Sequence, residues 1–303
     1  MTSTFTTLIS ADELRALLAS TAALIVIDTG FDLTDPQLGE REWRAGHVPT
    51  SQYLHLDRDL AGVKHTVDGR FRGRHPLPER AAFAAVLGRC GITPARQVVA
   101  LDRQGGTYAA RLWWMLRWMG HEASAVLDGG MAAWVAAGGA LTTALTTELA
   151  TGLASALVKD APAVTLTPPY PDRAPLAVTT DSDTLAREVG RTRLIDARAG
   201  ERFRGEVEPL DAAAGHIPGA LNRFFKNNLD ASGCFKPAGV LHAEFAALMG
   251  DAVPASVVHG CGSGVTACHN LLAMTHAGLP GSVLYPGSWS EWSADPGHAI
   301  ARG

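Results

Sequence analysis

Short apolar runs alternate with stretches whose apolar residues recur at helical spacing, and this alternation continues through most of the chain. The short runs are rich in Val, Ile and Leu, and several end in a carboxylate. They predict strands at residues 24–28, 97–101, 125–127, 194–196 and 256–258. Helices are predicted at residues 11–19, 79–87, 108–119 and 266–275, the first of them after a capping box that begins at Ser10. This alternation is typical of α/β proteins, in which a mainly parallel sheet is flanked by helices.

The second half of the chain repeats the first. Asp196 ends a strand pattern as Asp28 does, and a Gly-His-Ile-Pro segment at 215–218 repeats the Gly-His-Val-Pro segment at 46–49. A repeat of this length indicates domain duplication. Between the halves, a stretch rich in Ala, Thr and Pro has the composition of a linker. We therefore predict an N-terminal domain at 1–140, a linker at 141–175 and a C-terminal domain at 176–303.

Composition narrows the class of protein. Hydrophobic residues make up 47% and charged residues 18% of the 303 residues, which is typical of a globular protein. A net charge of −4 without a basic stripe argues against nucleic acid as a partner. No apolar run is long enough to span a bilayer, and the Thr-rich start lacks the apolar segment of a secretory signal. The four cysteines form no Cys-x-x-Cys pair, so we expect reduced thiols, no metal, no cofactor, no membrane partner and a cytoplasmic location.

A glycine-rich turn after the strand pattern at 256–258 carries the strongest chemical signal. Cys261 ends the strand, two glycines flank Ser263, and a helical pattern begins at about Thr266. The backbone N–H groups of such a turn can curl toward the cysteine sulfur, and the start of the helix adds the positive end of its dipole. These surroundings favour the thiolate, which is the nucleophilic form of cysteine. We interpret Cys261 as a nucleophile in preference to a buried structural cysteine.

The hexapeptide Cys-Gly-Ser-Gly-Val-Thr at 261–266 resembles the active-site loop of the mercaptopyruvate branch of the rhodanese family. In the thiosulfate branch, the two residues after the cysteine are typically basic. The duplicated Gly-His-Val/Ile-Pro segments and the Gly-Ser-Trp-Ser-Glu-Trp pattern at 287–292 are also similar to two-domain members, so the resemblance spans residues 8–293. It implies tandem rhodanese-like domains, of which the first is catalytically silent because Asp102 replaces its cysteine. It further implies that the substrate contacts the loop residues Gly262, Gly264, Val265 and Thr266.

The resemblance also implies roles for side chains outside the loop. Arg202 would bind the carboxylate of the donor, for which a planar guanidinium is suited because it donates two parallel hydrogen bonds. Asp57 and His75 would act with Ser263 as a proton relay, and Tyr108 would line the cleft. For each of these four residues outside the loop, an ordinary surface or packing role is the alternative.

One position departs from the family pattern. Mercaptopyruvate enzymes usually carry Glu-Pro-Arg after the first arginine, and that second arginine also binds the carboxylate. This chain has Glu-Pro-Leu, ending at Leu210. Either another arginine substitutes for it or the donor is bound less tightly.

Taken together, these signals predict a sulfurtransferase that moves a sulfane sulfur from 3-mercaptopyruvate to cyanide or to a thiol such as thioredoxin, through a persulfide on Cys261. Thiosulfate is the alternative donor, and a non-catalytic rhodanese-type binding module is a more remote alternative. A cysteine phosphatase of the Cys-x5-Arg type is excluded, because Ala267 occupies the position of the arginine that would bind phosphate.

Overall fold

The predicted apolar runs form two parallel sheets, one in each half of the chain. A computed structural model describes residues 4–144 and 167–303. Within both sheets, every pairing of neighbouring strands is parallel, and helices connect successive strands. This arrangement confirms the predicted fold class. In the described ranges, no helix is both long enough and apolar enough to cross a bilayer.

The first half contains a five-stranded sheet. Its strands are β1 (Leu8–Ile9), β2 (Leu24–Asp28), β3 (Gln52–Tyr53), β4 (Gln97–Leu101) and β5 (Ser124–Leu127). Its helices are α1 (Ala11–Leu18), α2 (Leu38–Ala45), α3 (Leu56–Asp59), α4 (Arg80–Arg89), α5 (Ala109–Trp118) and α6 (Gly130–Ala136). The strand order is β1-β5-β4-β2-β3. The predicted capping box is present, since Ser10 and Glu13 each accept a hydrogen bond from the other's backbone N–H.

The second half contains a four-stranded sheet. Its strands are β6 (Arg193–Asp196), β7 (Leu221–Asn222), β8 (Val257–Gly260) and β9 (Val283–Leu284). Its helices are α7 (Ser182–Glu188), α8 (Gly200–Arg204), α9 (Ala238–Met249), α10 (Ala267–His276) and α11 (Ser288–Trp292). The strand order is β7-β6-β8-β9. Asp196 of β6 pairs with Gly260 of β8, so the loop that carries Cys261 begins at the carboxyl edge of a central strand, where ligands bind in such sheets.

The two halves share one hydrophobic core. Helix α5 and its counterpart α10 pack against each other across the interface. The cluster of buried side chains there includes Trp113 and Met115 from the first half and Leu271 and Met274 from the second. Burying this much apolar surface stabilises the interface, because apolar side chains gain free energy when they leave water. The halves are therefore joined by packing as well as by the chain between them.

Only part of the predicted linker can be described, because residues 145–166 lie outside the described ranges. The part that follows packs on the first half. Tyr170 is buried, its N–H donates to the Ala84 carbonyl oxygen at 2.9 Å, and its hydroxyl lies 3.1 Å from Nδ1 of His121. The domain and linker boundaries stay predictions.

The duplicated histidines have matching structural positions. His47 exchanges backbone hydrogen bonds with Thr142, and His216 exchanges them with Ala301, all at 2.9–3.0 Å. Each imidazole Nδ1 also lies 2.8 Å from a backbone carbonyl oxygen in or near the preceding helix. Both histidines therefore anchor the chain segment that closes their own domain.

At Gly264, the loop after β8 approaches the backbone of Pro286 too closely for a side chain. Its φ is +74°, and a Cβ there would lie 2.3 Å from the Pro286 carbonyl oxygen, whereas Gly278 has a φ of +78° with nothing within 4 Å of a Cβ. Gly278→Ala should cost about 1 kcal/mol, the cost of a left-handed residue with a side chain. Gly264→Ala should cost about 3 kcal/mol or more, since the clash adds to that cost. Thermal midpoints of the two variants measure the difference, and equal midpoints would contradict the close approach.

Candidate active site

Hydrogen bonds from α11 hold the loop after β8 in place. The Cys261 N–H donates to the Ser288 hydroxyl at 3.0 Å. The carbonyl oxygens of Cys261 and Gly262 accept hydrogen bonds from the N–H groups of Trp289 and Ser290, both at 2.9 Å. The Cys261 side chain is buried, with 3% of the residue exposed. The backbone of the loop is therefore fixed before any substrate binds.

The corresponding loop of the first half shows what such a turn can bind. Asp102 stands where Cys261 stands in the second half, and its carboxylate is fully buried. It accepts hydrogen bonds from the backbone N–H groups of Gln104, Gly106, Tyr108 and Ala109, at 2.8–2.9 Å. Four N–H groups directed at one point form a binding site for an anion. In this half, the anion is a side chain of the chain itself.

In the loop around Cys261, the corresponding N–H groups are open, except that of Cys268, which donates to the Val265 carbonyl oxygen at 3.1 Å. Across the described part of the chain, the backbone N–H groups of residues 262–266 have no hydrogen-bond acceptor. Cys261 stands at the position of the aspartate, so its sulfur takes the place of the carboxylate. These N–H groups can therefore stabilise negative charge on sulfur, as donors of an oxyanion hole do on oxygen.

Two guanidinium groups lie beside the loop, one from each half. A Cβ placed on Gly262 would lie 2.8 Å from Nη2 of Arg74 and 3.6 Å from Nη1 of Arg202. Nε of each arginine is buried without a hydrogen-bond partner among the described residues. Burial, and next the charge of Arg202, lower the pKa of Arg74. The pair offers unused hydrogen-bond donors beside Gly262, which suit an anionic group.

Two carboxylates offset this positive charge. Glu208 accepts hydrogen bonds from Nη2 of Arg202 at 2.7 and 3.0 Å. Asp211 forms ion pairs with both Arg74 and Arg202. Leu210, which stands at the position of the family's second arginine, is 45% exposed and has no polar atom in its side chain. Arg74 thus provides the second guanidinium from the other half of the molecule.

Ser263, His75 and Asp57 form a hydrogen-bonded chain across the interface. Nδ1 of His75 lies 2.8 Å from the Ser263 hydroxyl, and its Nε2 lies 3.2 Å from Oδ1 of Asp57. Burial lowers the pKa of His75, although the hydrogen bond to Asp57 opposes this effect. The same hydrogen bond lowers the pKa of Asp57. At neutral pH, a neutral imidazole therefore lies between an ionised carboxylate and a hydroxyl.

The segment 60–75, which we call the arm, carries Arg74 and His75 to the second half. Its base is held by Arg111 of α5, whose guanidinium donates to the carbonyl oxygens of Leu60 at 3.3 Å, His75 at 3.1 Å and Gly264 at 3.2 Å. Arg111 is 0% exposed and forms no ion pair with the described residues. One buried cation thus joins both ends of the arm to the catalytic loop.

The remaining predicted residue and a third arginine have other surroundings. Tyr108 precedes α5, and its ring packs edge-on against Phe31 at 5.5 Å between centroids, so its role in the cleft stays a prediction. Arg198 is buried, pairs with Asp196 at 2.7 Å and stacks over Trp289. These contacts give Arg198 a structural position.

The structure places Cys261, Ser263, His75, Asp57 and Arg202 around one loop, and their chemical roles stay predictions. Sequence reasoning missed Arg74 and Asp211. Arg74 directly precedes His75, so its place in the chain was a usable signal once His75 was proposed to reach the cleft. Asp211 directly follows Leu210, but its importance depends on its contact with Arg74, which lies 137 residues away in sequence.

Comparison with known proteins now places the chain. A protein-family model described as rhodanese-like domain matches residues 10–137 and 181–295. The chain belongs to the rhodanese family. The two matched regions contain every strand of the two parallel sheets except β1, and they agree with the resemblance carried by the loop around Cys261 and by the duplicated segments.

Relatives within the rhodanese family align over nearly the full length. A probable 3-mercaptopyruvate sulfurtransferase of Pseudomonas aeruginosa is 42% identical over 300 residues, covering 98% of each chain. A putative thiosulfate sulfurtransferase of Mycobacterium tuberculosis is 36% identical, covering 98% of this chain and 97% of the relative. The structure of the 3-mercaptopyruvate sulfurtransferase from Leishmania major has a TM-score of 0.77 and 26% identity, over 95% of this chain and 74% of that one. These relatives confirm the predicted class of enzyme, a sulfurtransferase.

The relay generates a prediction about protonation. Because burial lowers the pKa of His75, its imidazole should titrate below the ordinary histidine value of about 6.5. Asp57→Asn should move the midpoint further down, since it removes the carboxylate that stabilises the imidazolium. NMR titration of His75 in parent and variant measures both values. A midpoint that moves upward in Asp57→Asn would contradict the contact.

Proposed function

We propose that this rhodanese-family protein transfers a sulfane sulfur from 3-mercaptopyruvate to a thiophilic acceptor through a persulfide on Cys261. The observation that carries the proposal is the position of Arg74 and Arg202 beside Gly262, next to the reactive cysteine. This arrangement suits a donor whose carboxylate lies a few bonds from its sulfur. Relatives named for this activity, including the human 3-mercaptopyruvate sulfurtransferase at 34% identity, support the same donor.

The first half-reaction loads the cysteine. The Cys261 thiolate attacks the donor sulfur, a sulfur–sulfur bond forms, and the carbon–sulfur bond breaks with its electron pair moving to carbon as the enolate of pyruvate. The proton of the donor thiol ends on that carbon, so the products are pyruvate and a persulfide anion. The open N–H groups of the loop stabilise the anion on sulfur.

The second half-reaction releases the sulfur. An acceptor nucleophile, either cyanide or a thiol such as that of thioredoxin, attacks the outer sulfur, and the Cys261 thiolate leaves. The two half-reactions share only the persulfide, so ping-pong kinetics are expected.

Arg74 and Arg202 would bind the donor carboxylate together. Each retains a buried Nε–H without a partner among the described residues, and a carboxylate can accept from both. In this proposal, Arg74 replaces the arginine that the family carries at the position of Leu210. The second binding group thus comes from the first half of the chain.

The chain of Ser263, His75 and Asp57 would move the proton of the first half-reaction. Neutral His75 takes up the thiol proton through the Ser263 hydroxyl and returns it to the enolate carbon. Asp57 orients the imidazole and stabilises its charged form during the transfer.

Thiosulfate remains the second candidate donor. The Mycobacterium tuberculosis relative is named for it, and it aligns with 98% of this chain. The neutral loop favours mercaptopyruvate, because Gly262 and Ser263 offer no side-chain charge to a dianion.

The wider setting completes the proposal. We place the enzyme in the cytoplasm, which agrees with its four free cysteines. We assign the catalysis to a domain at 176–303. The domain at 1–140 would be silent but would supply Arg74, His75 and Asp57.

The persulfide can be tested directly. After treatment with mercaptopyruvate, intact-mass spectrometry should show one added sulfur that cyanide removes and that maps to Cys261. Cys261→Ser should lose the added mass and the transferase activity, whereas Cys234→Ser, a matched change at a thiol outside the loop, should retain both.

Steady-state kinetics with cyanide as the common acceptor test the donor. We expect a higher kcat/KM for mercaptopyruvate than for thiosulfate. A preference for thiosulfate would overturn the donor assignment, and sulfur on Cys234 or Cys268 would overturn the choice of nucleophile.

The paired arginines give a further prediction. Arg74→Gln and Arg202→Gln should each lower kcat/KM for mercaptopyruvate by roughly ten- to a hundredfold, because each removes a charge-assisted hydrogen bond worth about 1.5–3 kcal/mol. Arg44→Gln, which breaks an exposed ion pair with Glu40, is the matched control and should leave the kinetics unchanged. Unchanged kinetics in Arg74→Gln would show that Arg74 does not replace the carboxylate-binding arginine that the family carries at the position of Leu210.

A further inference from the structure

Asp211 occupies an unusual place among the charges of the site. Its carboxylate forms ion pairs with Arg74 of the first half through one oxygen and with Arg202 of the second half through the other. The side chain is 3% exposed, so solvent screens these interactions little. It therefore contributes a nearly fixed negative charge next to the two groups that face the donor.

Asp211 leaves the donor-binding edges of both arginines free. It contacts Nη1 of Arg74 and Nη2 of Arg202, whereas the nitrogens nearest a Cβ on Gly262 are Nη2 of Arg74 at 2.8 Å and Nη1 of Arg202 at 3.6 Å, with Nη2 of Arg202 at 3.8 Å. Nε of each also lacks a partner among the described residues. An anion at Gly262 can thus bind without displacing Asp211, and it then experiences the charge of Asp211 as repulsion.

A count of the charges indicates what the site selects. Arg74 and Arg202 are balanced by Glu208 and Asp211, Arg198 is balanced by Asp196, and Arg111 at the Gly264 carbonyl oxygen is offset by the ionised Asp57 beside His75. The site is therefore close to neutral before the Cys261 thiolate forms. A donor must be attracted by oriented hydrogen bonds rather than by a surplus of positive charge.

We propose that Asp211 is a specificity-determining residue that makes the donor site favour singly charged over doubly charged anions. The reason is that Coulomb repulsion from one fixed charge is twice as large for a dianion as for a monoanion at the same position. Mercaptopyruvate carries one carboxylate charge, and thiosulfate carries two charges. The inference rests on the proposed binding of the donor by Arg74 and Arg202.

This role differs from simple support of the arginines. If Asp211 only held the two guanidinium groups in position, its loss would weaken binding of both classes of anion to a similar degree. If the charge of Asp211 discriminates between monoanions and dianions, removing that charge must change the ratio of their binding strengths. The ratio is therefore the quantity to measure.

The test is Asp211→Asn, which keeps the shape of the side chain and removes its charge. The ratio of kcat/KM for thiosulfate to that for mercaptopyruvate, with cyanide as acceptor, should rise on the order of tenfold. Glu206→Gln is the matched control, because it removes one negative charge from an exposed ion pair with Arg204 and should leave the ratio unchanged. Asp211→Ser is the second variant, in case the asparagine variant folds poorly.

Inhibition separates this inference from the choice of donor. Inhibition constants of pyruvate, a monoanion, and sulfate, a dianion, are measured in parent and variants against whichever donor is turned over. In Asp211→Asn, the inhibition constant of sulfate should fall relative to that of pyruvate by a similar factor. Equal changes for both anions, or no change in either, would overturn the role of Asp211 even if mercaptopyruvate proves to be the donor. If the parent prefers thiosulfate, the proposal that mercaptopyruvate is the donor is wrong. Tighter inhibition by sulfate relative to pyruvate in Asp211→Asn would still support selection by the charge of Asp211.

Discussion

The buried guanidinium of Arg111 is the contact on which the site depends. It lies in the interface, with its donors on the carbonyl oxygens of Leu60, His75 and Gly264. Burial disfavours its charge and lowers its pKa, so these carbonyl oxygens, together with the thiols nearby, must compensate for the lost water. Because the three carbonyls belong to the two ends of the arm and to the catalytic loop, satisfying one cation fixes all three segments together. The arm can then present Arg74 and His75 at a defined distance from the loop.

Duplication explains how two similar halves came to divide the work. The first half keeps the turn of N–H groups, but the carboxylate of Asp102 accepts their hydrogen bonds, so this turn has no free site for sulfur. Such a filled turn is rigid, because four hydrogen bonds fix the backbone at the start of α5. Helix α5 carries Arg111, and the rigid start of that helix keeps the guanidinium group of Arg111 at a fixed position in the interface. The half without a nucleophile is thus suited to a positioning role.

The sequence predicted the elements whose signals are local. The strands ending at Asp28 and Asp196, the capping box at Ser10 and the turn around Cys261 are each defined by neighbours in the chain. Arg74 escaped prediction because the arm has no periodic pattern, and only its return to the second half makes its charge relevant. The position of Leu210 raised the question of a substitute, and the place of Arg74 beside His75 was a signal for one only once His75 was expected to reach the cleft. Contacts between distant segments depend on the interface, which no local pattern encodes.

The neutral charge of the site also bears on turnover. A site with a surplus of positive charge would bind a donor anion strongly, but in the proposed reaction it would bind the product as strongly, because pyruvate carries the same carboxylate as mercaptopyruvate. Here, Arg202 remains paired with Glu208 and Asp211 when no donor is present, so release of product does not leave an uncompensated charge. Binding energy that does not increase toward the transition state would lower KM without raising kcat. The carboxylates of Glu208 and Asp211 therefore limit the part of donor binding that is equally strong in the ground state and the transition state. In the proposed reaction, the N–H groups around Cys261 stabilise the charge that develops on sulfur.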